Sequence, residues 1–171
     1  IRKRKQPPEE GWVKVNVDGA YCRATDRCAC GGIIRNSSGT FIRGFFHPID
    51  GDELSAEVWA CLLGLKIAWA IGFRKVWLET NSTKCLNLLS HEQGAHHRYS
   101  SILDEVKKML HMEWESKVTY IPRSSNSAAN YLAKKGLDSR GGLHEIHTPS
   151  EALEVILSKD CNGCNIPMGI S

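Results

Sequence analysis

Between Trp12 and Asp18 apolar and polar residues alternate, Val13, Val15 and Val17 against Lys14, Asn16 and Asp18. This predicts a half-buried strand ending at Asp18, where Gly19 releases the chain. Two further runs, 28–35 and 40–47, flank Asn36-Ser37-Ser38-Gly39, a turn-forming cluster whose glycine accepts a positive φ, and together they predict a hairpin. Pro48 and Asp50-Gly51-Asp52 interrupt that pattern. From about Ser55 to Ile71, Val58, Leu62, Leu65 and Trp69 recur at three- and four-residue steps, the stripe of a helix packed on a sheet, with Gly72 placed as its C-cap. Residues 75–80, through Val76, Trp77 and Leu78, read as a short buried strand, and 82–90 as a second helix carrying Cys85, Leu86, Leu88 and Leu89. Periodicity lapses around Gly94-Ala95-His96-His97 and resumes in a third helix through Ile102, Val106, Met109 and Leu110. A fifth strand, Lys117 to Ile121, stops at Pro122. The polar loop Arg123-Ser124-Ser125-Asn126 then opens a last core helix, with Ala129, Leu132 and Ala133 inward and Gly136 at its end.

Three antiparallel strands followed by helix, strand, helix, helix, strand and helix predict an α/β fold of three layers, a mixed five-stranded sheet flanked by helices over residues 12–137. Residues 1–11 read as a basic, proline-containing linker. Residues 138–171 read as a tail that packs on the domain or is partly mobile, with one amphipathic piece, Glu151 to Leu157, after Pro149.

Composition narrows the function classes. At 171 residues and 42% hydrophobic content the chain can bury one substantial core. An excess of 22 Lys and Arg over 19 Asp and Glu, a net charge of +3, permits a nucleic-acid partner without requiring one, so placement of the charges has to carry that argument. Seven scattered cysteines fit a reducing, intracellular compartment, nuclear or cytoplasmic, better than a secreted disulfide framework. No run approaches eighteen consecutive apolar residues, and no membrane partner is expected. Arg2-Lys3-Arg4-Lys5 reads first as a solvated tail, with an import signal or a phosphate-touching arm as alternatives. The chain opens on Ile1, which suggests a fragment or a trimmed boundary.

Cys161-Asn162-Gly163-Cys164 has the gap of half a zinc site, but zinc needs two well-spaced pairs and none is expected here. Cys28 and Cys30 are expected on one side of a strand, His96, His97, His144 and His147 in solvated loops, and Trp69 and Trp77 in the core, with Trp12 at a strand start.

The strings Val15-Asn16-Val17-Asp18-Gly19-Ala20, Gly31-Gly32-Ile33-Ile34-Arg35, Ala56-Glu57, Leu78-Glu79-Thr80-Asn81-Ser82, Pro122-Arg123, Ala129-Asn130 and Leu132-Ala133-Lys134 occur in an order that resembles the ribonuclease H family, in particular its plant retrotransposon-type branch. The resemblance implies a domain that cuts the RNA strand of an RNA–DNA hybrid with two magnesium or manganese ions held by hard oxygen ligands. It places Asp18 between both metals, Glu57 on one of them, and residues 81 and 130 completing one shell each. Hybrid recognition works through phosphates and 2′-hydroxyls, and contact is expected from main-chain groups near Gly19 and Ala20 and side chains around Arg123 and Asn126, with Arg23, Arg27 and Arg35 either flanking that groove or standing as ordinary solvated charges. The basic helical protrusion and catalytic histidine loop of the family's more elaborate members are missing.

Positions 81 and 130 are aspartates in that family. Here they are Asn81 and Asn130, which keep the shape and lose the charge. Two carboxylates face the four positive charges of two divalent ions, and a full charge at about 4 Å is worth about 4 kcal/mol at an effective dielectric near 20. Magnesium or manganese is expected to bind weakly or not at all, and hydrolysis to be lost or strongly reduced. Natural loss and deliberate inactivation of an active hydrolase both account for the amides. A protein-interaction module that keeps only the scaffold is a third possibility.

Overall fold

The computed structural model describes residues 10–90 and 98–165, with side chains as far as residue 160. The basic quartet 2–5, His96 and His97, and the side chains of Cys161 and Cys164 lie outside that range. Six strands form one sheet in the order β5-β4-β1-β2-β3-β6. β1 (Val13–Cys22), β2 (Arg27–Arg35) and β3 (Phe41–Ile49) are antiparallel neighbours, while β4 (Lys75–Thr80) joins β1 in parallel and β5 (Glu115–Tyr120) joins β4 in parallel. The sixth strand, β6 (His144–Ile146), comes from the tail and pairs with β3 through Gly44, Phe45 and Phe46, so the expected count of five falls short by one. Three residues carry too little pattern to be read as a strand.

The predicted hairpin is present. Gly39 takes φ +79°, and the Asn36 carboxamide oxygen accepts from the amides of Ser38 and Thr40, closing the turn. Pro48 does not break β3, since it still sits opposite Ala29.

α1 (Glu53–Ile71) begins at Asp52, whose carboxylate accepts from the Ser55 amide at 2.8 Å and from the Tyr99 hydroxyl at 2.6 Å, and ends at Gly72 with φ +114°. A single apolar stripe was expected. Instead the helix is buried almost all round, because β1, β2 and β4 lie on one side and α2 (Thr83–Ser90) and α3 (Ser100–Leu110) on the other. At 19 residues the helix is long and apolar enough to cross a membrane by length and composition alone, and here it forms the centre of the core. Leu103 and Val106 of α3 are fully buried against it.

On the opposite face lies α4 (Ser127–Leu137), entered through a short 3-10 turn, Arg123–Ser125. α5 (Glu151–Asn165) packs on α4 and extends the tail's amphipathic piece, burying Leu153 with Ile33, Phe46, Ala128 and Leu132. β1 therefore has helices on both faces. Lys14, Asn16 and Asp18, expected on a wet face, are 2%, 0% and 3% exposed. Nor does the strand end at Asp18, since pairing with β2 continues to Cys22 opposite Arg27. Trp77 is only half-buried, between the ammonium groups of Lys14 and Lys117 at 4.1 and 4.2 Å from its ring, because its position on β4 faces away from α1. Trp69, also half-buried, meets Trp114 edge to face.

α4 can approach β2 closely because Gly31 has no side chain. A Cβ there would lie 2.7 Å from the Leu132 carbonyl carbon and against the Ala133 backbone. Gly31→Ala is expected to destabilise the domain by about 2 kcal/mol, read as a lower urea midpoint, since neither rigid backbone can yield.

Candidate nucleic-acid site

Four elements bring the four expected side chains to one end of the sheet. Asp18 projects from β1 toward α4, where the Asn130 carboxamide nitrogen donates to its Oδ2 at 3.0 Å. From α1, the Glu57 carboxylate reaches the same strand, and the Gly19 amide donates to Glu57 Oε1 and to Asp18 Oδ1, both at 2.9 Å. Val17 pairs with Thr80 across β1 and β4, so Asn81 comes level with Asp18 at the next register position. Gly19 permits the contact, because a Cβ there would lie 2.9 Å from the Glu57 amide nitrogen.

The two acids are close and almost dry, with Asp18 3% and Glu57 5% exposed. Burial, and then the neighbouring Asp18 carboxylate, push the Glu57 carboxyl far above the ordinary glutamate range. The Glu57 carboxyl of the metal-free domain thus tends to keep its proton. Glu57 Oε2 and Asn81 Nδ2 are buried without a hydrogen-bond partner.

Asn126 does a different job from the one expected. It is fully buried, and its carboxamide nitrogen donates to the Val17 carbonyl at 2.9 Å, pinning the start of α4 to β1 beside Asp18. Its side chain is a strut beneath the site. Gly19, Ala20, Arg123 and Asn130 line a groove of about 590 Å³ next to the acids, along with Lys134, which the sequence reading left out. Arg23 and Arg27 also border it, while Glu53 and Asp138 supply the opposing charge. Arg35 does not. It is 4% exposed and lies farther back under the sheet, bonded to Asn16.

Cys28 and Cys30 both point into the core, as expected of alternate strand positions. His144 stacks on Phe46 with ring centroids 4.8 Å apart, and His147 is exposed. Among the described residues, no group of three or more His, Cys, Asp or Glu side chains is arranged to hold a metal ion.

The donor set does not fit a pair of divalent cations. One oxygen of Asp18 already accepts from an amide N–H, only two of the four side chains are carboxyl groups, and the other two are neutral amides. An amide offers a metal one uncharged oxygen in place of a carboxylate. No hydrolytic step through a metal pair can be derived from these residues.

A mixed sheet with α1 and α4 on opposite faces, and an acid–amide cluster where β1, α1, β4 and α4 converge, defines a ribonuclease H-like domain. The chain belongs to the reverse transcriptase-like family, whose model matches residues 16–136. A protein of Arabidopsis thaliana provisionally named a ribonuclease H protein is 28% identical over 161 residues, covering 94% of this chain, and the chain spans 26% of that relative's length. Among solved structures, RNase H1 from the halophilic archaeon Halobacterium salinarum NRC-1 superposes with a TM-score of 0.68 at 22% identity, covering 74% of this chain and 98% of its own. LC11-RNase H1, solved in complex with an RNA/DNA hybrid, gives 0.65 at 17% identity, covering 74% and 96%. At these identities the structural likeness concerns the fold.

Proposed function

We propose that this domain recognises nucleic acid, an RNA–DNA hybrid or a structured RNA, through the groove beside Asp18, and that its two-metal phosphodiester hydrolysis is lost or strongly reduced. The observation that carries the second half is the Asn130 amide donating to Asp18 Oδ2, at the position where the resemblance calls for another metal-binding carboxylate. An N–H aimed at that oxygen satisfies it without a cation, and the neutral amides at 81 and 130 leave two carboxyl groups where the resemblance calls for four.

The binding half is supported by the fold, shared with a relative solved on an RNA/DNA hybrid, and by the lining of the groove. Arg23, Arg27, Arg123 and Lys134 outnumber Glu53 and Asp138 there. Arg123 and Arg23 are exposed, while Arg27 is steadied by donating to the Ser139 carbonyl at 3.0 Å. Phosphates passing this edge meet cations, and 2′-hydroxyls meet the polar groups near Gly19 and Ala20.

Fluorescence anisotropy with a labelled hybrid across a salt series tests the binding. The domain is expected to bind with log K falling by about 2 to 3 per decade of salt, and Arg123→Ala to reduce that slope by about one. Absence of any salt-dependent affinity would contradict this reading and favour a protein-interaction scaffold.

A further inference from the structure

Two residues below the site on the same face of the sheet lies a run of buried polar side chains that hybrid contact does not use. Asn16 and Glu79 sit opposite each other across β1 and β4, and the Asn16 carboxamide nitrogen donates to Glu79 Oε1 at 2.7 Å. Arg35 Nη2 donates to the other end of that carboxamide, Asn16 Oδ1, at 2.9 Å, which fixes which way the amide faces. Arg35 in turn meets Asp160 of α5 at 3.3 Å, and the Lys14 ammonium approaches Glu79 Oε1 at 3.4 Å. Asn16 is 0% exposed, Lys14 2%, Arg35 4% and Glu79 6%.

Burying this much charge is costly, and well-packed apolar residues commonly stabilise a core as well or better. The alternate face of the same strand shows this, since Val13, Val15 and Val17 fill it. A sheet that needed only stability had that option. What the polar run adds is direction: a charge-assisted hydrogen bond has a fixed length and angle, whereas apolar contacts slide. The next position up β1 on this face is Asp18, and the next beyond Glu79 is Asn81.

We propose that Glu79 is a positioning residue which, through its hydrogen bond to Asn16, fixes the side-chain layer directly beneath Asp18 and Asn81 on the paired strands β1 and β4 and so limits how those two side chains can move. Arg35, held by Asp160, keeps the Asn16 carboxamide turned toward Glu79, which makes the C-terminal helix a remote support of the site. The proposal rests on the proposed function only in taking the groove beside Asp18 as the nucleic-acid surface, and its test does not depend on nucleic-acid binding or on metal.

The test is NMR on the full chain, following the Gly19 amide, which touches both Asp18 and Glu57, and the Asn130 side-chain amide. Glu79→Leu removes the acceptor at similar size, Glu79→Gln keeps an acceptor oxygen for Asn16, and Leu103→Ala weakens the fold on α3, away from the polar run and from the helix that carries Asp160, as the control. Glu79→Leu is expected to shift both signals and to speed Gly19 hydrogen exchange about tenfold beyond the control, with Glu79→Gln near the unmodified protein. Should Glu79→Leu not fold, Asn16→Ala is read the same way. The proposal is overturned if the acceptor-less variant lowers thermal stability while leaving both signals in place, or if it only matches Leu103→Ala. Loss of hybrid affinity in the unmodified protein would refute the proposed function and leave this result standing.

Discussion

Restoring both carboxylates, Asn81→Asp with Asn130→Asp, is expected to raise magnesium-dependent cleavage of an RNA–DNA hybrid by about a thousandfold, because about 4 kcal/mol of transition-state stabilisation corresponds to that factor. The size of this gain follows from where the amides sit. Asn130 donates to Asp18 Oδ2, and Asn81 stands level with Asp18 across the β1–β4 pairing. An aspartate at 130 turns that attraction into repulsion between two carboxylates about 3 Å apart, which only a cation or a proton can relieve. The double variant should therefore be less stable than the unmodified protein without metal and should recover on adding manganese, a shift in melting temperature that is independent of activity. Each single substitution supplies one missing charge and is expected to fall between. A double variant that folds, gains stability from manganese and still leaves the hybrid uncut would show that hydrolysis was lost for another reason.

Glu57→Gln is expected to stabilise the metal-free domain at neutral pH by about 3 kcal/mol and to make almost no difference near pH 4.5. Burial and the Asp18 carboxylate raise the folded-state value of Glu57 above its unfolded one. The folded protein therefore holds this proton more tightly than the unfolded chain does. The resulting stabilisation is complete below the unfolded value and is lost as pH rises toward the folded one, at up to about 1.4 kcal/mol per pH unit. A glutamine keeps the shape and has no proton to lose, so its advantage widens across that window. Urea unfolding from pH 4.5 to 8 in the absence of divalent ions reads the difference directly. A gap that stays flat with pH would mean that Glu57 is ionised in the fold and that the site carries its full negative charge.

The parts of this fold legible in the sequence were those with one dry face and one wet face. The β2–β3 turn, the α1 C-cap at Gly72 and the stripe of α3 followed directly from local rules. Alternation misled at β1, because a central strand under α4 can keep polar residues on its second face if they satisfy one another, and Lys14, Asn16, Arg35 and Glu79 do. Periodicity similarly sees one face of α1 and not the helices behind it. β6 depends on β3 for its pairing and has no pattern of its own. At the site, residue identities and order pointed to Asp18, Glu57, Asn81 and Asn130, whereas the inward turn of Asn126 toward Val17 and the place of Lys134 in the groove depend on how α4 meets β1.

The charge deficit at the end of β1 is tested most directly by titrating the unmodified domain and the Asn81→Asp, Asn130→Asp variant with manganese in a calorimeter. The unmodified chain should show one weak site at most and the variant two. Two well-occupied sites in the unmodified chain would contradict the account.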